Sequence, residues 1–273
     1  MSIECSGVGI KLGKCQAVKH VTFASGKPEL IGLIGPNGAG KSSLMRALVG
    51  LINFSGQILI DEVPSFELSA MELARRVAFL PQERVVHWSL AVRDVVMLGR
   101  MPHQTGLGRP SQADEEAVDR ALDLMSLTDL QMRTFDELSG GEQARVLIAR
   151  LVAQEANTII ADEPVNGLDP AHQIGLMRLL KQLVAQGKTV LVSLHDLSLA
   201  SQWCDRILIL NNGVLLDDGT PKAVMTERRM REVYGVRIQN VEVGKQSFII
   251  PTELVGHAKP MSGASEGEEA NGL

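Results

Sequence analysis

The residues best suited to chemistry begin at Gly35-Pro-Asn-Gly-Ala-Gly-Lys41-Ser42, which has the spacing G-x-x-x-x-G-K-S. An apolar run, Leu30-Ile-Gly-Leu-Ile34, precedes it, and Leu44, Met45, Ala47 and Leu48 follow at helical spacing. Strand, glycine turn and helix form the context in which this spacing cradles phosphate. Glycines let successive N–H groups curl around an anion with no Cβ in the way. The helix start adds unpaired donors and a partial positive charge. Lys41 would then reach the β- and γ-phosphates, and the Ser42 hydroxyl would ligate Mg²⁺. Gly35, Pro36, Asn37, Gly38, Ala39, Gly40, Lys41, Ser42 and Ser43 are the candidate nucleoside triphosphate site.

Two more clusters carry chemistry. Asp162-Glu163 closes the apolar run Thr158-Ile-Ile-Ala161. An aspartate there can bind Mg²⁺, directly or through water, opposite Ser42. Glu163, at the strand mouth, can take a proton from a water attacking the γ-phosphate. Leu138-Ser-Gly-Gly-Glu142 is again a glycine turn before a helix, the design of a second anion site. The plainer reading of Ser139 is an ordinary N-cap.

The elements that must position these groups follow from pattern. Residues 3–12 and 17–24 read as β-rich stretches joined at Gly13-Lys14, and 57–60 and 77–80 as short strands. Residues 71–76 read as helical. From about residue 90 to 130 the chain turns helical, with Val92, Val95, Val96 and Leu98 as one apolar set. Ala117, Val118, Ala121, Leu122 and Met125 form another, with a loop at 106–110 between them. Strands at 158–161 and 189–192 flank an amphipathic helix at 175–186. That alternation implies a parallel sheet with its ligand at the carboxyl ends of the strands. Asn211-Asn-Gly213 between apolar runs signals a hairpin. A helix runs through Val233, and a β-like stretch covers 236–250. The Gly-, Ser- and Glu-rich tail from Gly256 is expected to be disordered.

Composition narrows the classes. The 273 residues are 45% hydrophobic and 22% charged, with a net charge of −5. That balance, with six Phe, two Trp and one Tyr, disfavours a basic or base-stacking nucleic-acid face. Cys5, Cys15 and Cys204 lack metal-ligand spacing and are expected to be reduced, partly buried thiols. No secretion signal is apparent, and no apolar run approaches the roughly 20 residues needed to span a bilayer.

The phosphate loop, Gln82, Ser139-Gly-Gly-Glu142-Gln143, Asp162-Glu163-Pro164, Leu168-Asp169 and His195-Asp196 stand in one order along the chain. In that order and rough spacing, residues 3 to about 235 resemble the ATP-binding cassette (ABC) ATPases. The resemblance implies an α/β fold of the P-loop NTPase type, with a mostly parallel sheet, an antiparallel β subdomain and a helical insertion subdomain. It places an ABC ATPase domain at 1–235, its helical subdomain at about 88–152, and a C-terminal extension at 236–255 before the tail at 256–273. It implies Mg²⁺-dependent ATP hydrolysis. Gln82 joins Ser42 and Asp162 at the metal, His195 holds the γ-phosphate and Asp169 lies near a dimer seam. Ser139, Gly140, Gly141 and Glu142 of one subunit close over the ATP of the other, so a two-fold homodimer makes two complete sites. ATP joins the dimer, and hydrolysis through Glu163 releases it.

Val96-Met-Leu-Gly99-Arg100-Met-Pro102-His103 and Val233-Tyr-Gly235-Val-Arg237 resemble, more narrowly, importer ATPases for iron–siderophore, haem and cobalamin uptake. That likeness implies a groove around residues 83–105 for the cytoplasmic helix of a separate permease. It also implies a peripheral position on the cytoplasmic face of the inner membrane and an indirect link to a substrate-binding protein. The alternative is a soluble cassette acting on nucleic acid or ribosomes. Such proteins usually carry a long coiled-coil insertion or two cassettes, and this chain has neither. Two departures from the family pattern stand out. Leu12-Gly-Lys-Cys15 lies where an aromatic usually stacks on adenine, and Val165-Asn-Gly167 replaces Thr-Ser-Ala.

Overall fold

The computed structural model describes residues 3–82, 89–104, 109–243 and 246–255. The chain opens with β1 (Ile3–Leu12), β2 (Cys15–Ala24) and β3 (Leu30–Ile34), then α1 (Lys41–Leu48), β4 (Ser55–Ile60) and β5 (Val63–Pro64). Next come α2 (Ala70–Arg76), β6 (Val77–Leu80), α3 (Val92–Met97), α4 (Gln112–Leu124) and α5 (Gly140–Ala153). Alternation follows in β7 (Thr158–Ala161), α6 (Pro170–Ala185), β8 (Thr189–Ser193), α7 (Leu197–Trp203), β9 (Arg206–Asn211) and β10 (Val214–Gly219). Two short helices, α8 (Pro221–Val224) and α9 (Glu227–Tyr234), lead to a hairpin of β11 (Val236–Val243) and β12 (Gln246–Leu254).

Strand order explains the convergence of the site. The larger sheet runs β10-β9-β3-β8-β7-β6. It is parallel except for the β9–β10 pair. The carboxyl ends of β3, β8, β7 and β6 therefore open at one edge, where parallel sheets collect their ligand-binding loops. Those ends lead directly into the glycine loop, His195, Asp162-Glu163 and Gln82. β7 and β8 are buried at every position, as strands covered on both faces must be.

A second sheet, β2-β1-β4-β5, is antiparallel. Between the two sheets lies one core, in which Leu44, Met45 and Leu48 of α1 meet Ile3, Ile10, Ile31 and Leu33. The other core lies on the opposite face, where Val92, Val95, Val118, Leu122 and Val146 of α3–α5 join Val190 and Val192. The expected architecture, a mostly parallel sheet with an antiparallel β layer and a helical insertion, is the one observed.

Several boundaries differ from the sequence reading. The helix expected at 175–186 begins at Pro170, because Asp169 caps it and proline suits its first turn. The single helix expected through Val233 is two, α8 and α9. The β-like stretch is a hairpin reaching Leu254. Leu98, expected to pack with Val92, is instead 39% exposed in a 3₁₀ turn. The hairpin at Asn212-Gly213 is as expected, with both residues at positive φ. The tail at 256–273, the loop at 105–108 and residues 83–88 of the expected groove lie outside the described residues.

Candidate functional site

Close backbone approach makes two of the loop glycines, Gly35 and Gly40, obligatory. A Cβ on Gly35 would sit 2.0 Å from the Leu210 carbonyl oxygen, and one on Gly40 2.4 Å from that of Ala17. Gly40, at φ 104°, opens α1 with no side-chain cap, which leaves the first-turn N–H groups facing the loop. Lys41 is 5% exposed, and its Nζ donates to the carbonyls of Gly35 (2.7 Å) and Pro36 (3.2 Å). Burial lowers its pKa, while the negative charges of Glu163 and Asp162 pull the other way.

At the end of β7, the Asp162 N–H continues the sheet by donating to the Leu80 carbonyl at 2.8 Å. Asp162 is 1% exposed, and its Oδ1 accepts a 2.6 Å hydrogen bond from the buried Ser193 hydroxyl. The same hydroxyl accepts from the Glu163 N–H at 2.7 Å. Glu163 itself sits at φ 51°, a rare conformation for a residue with a side chain. Its Oε2 accepts from Gln82 Nε2 at 2.7 Å and from Asn166 Nδ2. His195 Nε2 meets its Oε1.

These groups share one cleft of roughly 900 Å³. Asn37 through Ser43, Gln82, Glu163 and His195 line it, so the structure brings most of the expected site together. Its walls also include Leu12, Cys15, Gln16, Ala17, Lys19 and Asn212, the first two from the stretch lacking an aromatic. Asp162 is buried and does not line the cleft; the Ser193 hydroxyl ties it to the backbone of Glu163, which does. Ser42, Gln82 and Asp162 offer a hydroxyl, an amide and a carboxylate, all hard oxygen donors. That sparse set suits Mg²⁺, which keeps waters and phosphate oxygens as its other ligands.

Ser139, Gly140, Gly141, Glu142 and Asp169 do not line the cleft. Ser139 is the N-cap of α5, with a reciprocal Glu142 bond. Glu142 Oε2 accepts from the Ser139 hydroxyl at 2.7 Å and its N–H at 2.8 Å, which lowers the Glu142 pKa. The ordinary cap reading therefore holds, and the glycines beside it are not among the residues lining the cleft at the phosphate loop. Asp169 caps α6 through the His172 N–H (2.9 Å) and binds His172 Nδ1 at 2.8 Å. The His172 ring packs against Gly141, where an added Cβ would come within 2.9 Å of its Nε2. The glycine turn and Asp169 thus form one surface.

Sequence reasoning missed Ser193 and the role of Asn166. A serine within an otherwise apolar buried strand was the available signal for the first. Of the cysteines, Cys5 and Cys204 are buried as expected, and burial pushes the Cys204 thiol up to about 12. Cys15 is exposed on the cleft wall, because the β1–β2 turn leaves it uncovered.

The Gly99-to-His103 stretch plays a structural part. The buried Arg100 guanidinium binds Asp114 Oδ1 (2.9 Å), the Ala153 carbonyl (2.7 Å) and Glu155 Oε2 (2.8 Å). His103 Nε2 meets the Gln154 carbonyl at 2.8 Å. This 3₁₀ turn pins α4 to the end of α5. Its outward residues, Leu98 and Met101, join Leu51, Phe54 and Phe66 around an apolar groove of roughly 870 Å³. Phe66 is 78% exposed there.

Residues 18–166 match the ABC transporter family. The hemin import ATP-binding protein HmuV of Pseudomonas fluorescens is 41% identical over 216 residues, covering 77% of this chain and 83% of that protein. The petrobactin import ATP-binding protein FpuC of Bacillus anthracis is 36% identical over 228 residues, covering 83% and 84%. Among solved structures, a chain of an inward-facing transporter described as a metal-chelate type ABC transporter superposes with a TM-score of 0.81. It is 25% identical, with 92% of this chain and 98% of that one covered.

Proposed function

The chain belongs to the ABC transporter family, and from that premise we propose that it is the ATP-hydrolysing subunit of an importer. It drives uptake of a metal chelate of the iron–siderophore, haem or cobalamin class through a separate permease. The observation that carries this reading is the convergence of Lys41, Gln82, Glu163 and His195 on one cleft beside a phosphate loop.

In this reading the loop amides and Lys41 bind the β- and γ-phosphates. The Lys41 ammonium exchanges two neutral carbonyl partners for anionic oxygens, which supports tighter pairing with the nucleotide. Glu163 accepts the proton of the attacking water, and His195 contacts the γ-phosphate. Mg²⁺ held by Ser42, Gln82 and Asp162 would neutralise charge between the β- and γ-phosphates. The Gln82 amide nitrogen already faces Glu163, which leaves its carbonyl oxygen as the metal-directed atom.

The turn at Ser139, Gly140, Gly141 and Glu142, with neighbouring Asp169, serves the ATP of a second copy. Its position outside this chain's cleft supports a two-fold homodimer. The apolar groove around Phe66, Leu98 and Met101 supports docking of an apolar permease segment. Among the described residues no helix is long and apolar enough to cross a membrane. In this reading the subunit sits at the cytoplasmic face of the inner membrane, peripheral through its permease. A substrate-binding protein delivers cargo on the far side. The hemin and petrobactin import relatives favour a chelate cargo. Action on nucleic acid or ribosomes finds no support among these relatives.

The test is reconstitution of the chain in vesicles with a permease that it binds. ATP-driven accumulation of haem, a ferric siderophore or cobalamin is the expected result, lost when the chain carries Glu163→Gln. ATP turnover and permease binding with no uptake of any of the three would overturn the cargo reading.

A further inference from the structure

We propose that Asn166 is a positioning residue for the Glu163 carboxylate. Its side-chain amide holds Oε2 so that Oε1 is presented to the reacting water. This inference rests on the reading of Glu163 as the proton acceptor.

The argument begins with the carboxylate's surroundings. Glu163 stands just past the end of β7 at positive φ. Among the described residues, Gln82 and Asn166 donate to Oε2 and His195 meets Oε1. Gln82 and His195 have other work once nucleotide is bound, at the metal and at the γ-phosphate. Asn166 has none assigned. Its Nδ2–H is a neutral donor, so it can fix one oxygen while leaving the group an anion able to accept a proton.

Local backbone structure makes the placement reproducible. The Asn166 N–H donates to the Glu163 carbonyl at 3.2 Å, and the Leu168 N–H to that of Val165 at 3.2 Å. The chain from Glu163 to Asp169 is therefore a run of tight turns. These turns return the amide three residues later to the carboxylate that precedes it. At the far end of the same run, Asp169 caps α6. A carboxylate held at one point of a short, bonded turn keeps its orientation through the reaction, which is what a general base requires.

Asn166→Asp is the decisive variant, because aspartate keeps the size and turn-forming habit of asparagine but brings a second anion and no amide donor. In the full-length chain at saturating Mg²⁺, the expected result is a kcat lowered by about tenfold or more. The KM for ATP should stay within about twofold, and the melting temperature should be unchanged. Asn166→Ser, which keeps a donor hydroxyl, should recover a substantial part of that loss. Equal rates for Asn166→Asp and wild type would overturn the proposal, as would a serine variant as impaired as the aspartate one. So would a kcat loss matched by a fall in melting temperature. The two readings fail separately. Full turnover in Glu163→Gln removes the general base itself, whereas an inactive Glu163→Gln beside a fully active Asn166→Asp removes only the role given to Asn166.

Discussion

Ser193 joins two carboxylate-bearing residues through one hydroxyl, donating to Asp162 Oδ1 and accepting from the Glu163 N–H. Ser193→Ala removes the hydroxyl, and with it both bonds, at a fully buried position without adding bulk. Leaving a buried N–H unpaired costs about 1–3 kcal/mol. Urea unfolding should show a loss of that size, and ATP turnover should fall further than ATP affinity, because Asp162 and Glu163 lose a common anchor. An unchanged unfolding midpoint would remove Ser193 from the account. The phosphate loop was legible in the sequence because its donors are consecutive residues. Ser193 was not, since its bonds cross some thirty positions and exist only because β7 and β8 are neighbours. Asn166 was visible as a departure from a family pattern, but its contact with Glu163 depends on the turn between them.

At the scale of elements, the packing of α4 against the end of α5 in the helical insertion rests on Arg100. The side chains of Arg100 and Asp114 are each 5% exposed. Removing one partner of such a pair strands the other charge, and Arg100→Ala should destabilise the protein by about 3–5 kcal/mol. Burial alone would raise the Asp114 pKa. Hydrogen bonds from Arg100 and Ser111 outweigh it and hold the carboxyl from 3.8 down to about 2. A carboxylate depressed on folding contributes its full stability above its unfolded pKa, near 4. That contribution disappears as pH falls through 4 toward 2. Unfolding measured from pH 5 to pH 2 should therefore fall less steeply in Arg100→Ala than in the wild type. Parallel slopes would mean the pair does not carry this linkage. In the sequence, residues 96–103 marked only a likeness to importers. The structure divides them, with Arg100 and His103 turned inward to bind α4 and α5, and Leu98 and Met101 outward along the groove. Side-chain direction within a 3₁₀ turn containing Pro102 does not follow from apolar spacing. The start of α6 was misjudged for a similar local reason, since a cap and a first-turn proline lie outside the apolar repeat.

For the whole molecule, the alternation of strands and helices was enough to foretell a parallel sheet with its site at the carboxyl edge. What the sequence could not supply was the strand order, which puts β8 between β3 and β7 and so seats His195 beside Glu163. The turn at residues 139–142 and Asp169 remains on a separate surface, complete as a cap and without a ligand role toward its own cleft. A shared site requires a second copy. Glu163→Gln should sediment as a dimer with Mg²⁺ and ATP and as a monomer with ADP. Ser139→Arg, which places bulk and charge at the turn, should prevent ATP-driven association. A Glu163→Gln chain that stays monomeric under saturating ATP would contradict the shared site.

The central claim is that this cleft hydrolyses ATP with Glu163 as the proton acceptor, and steady-state turnover of Glu163→Gln beside the wild type tests it most directly. The account predicts unchanged ATP binding with turnover reduced by about 100-fold or more. Turnover equal to the wild type would contradict it.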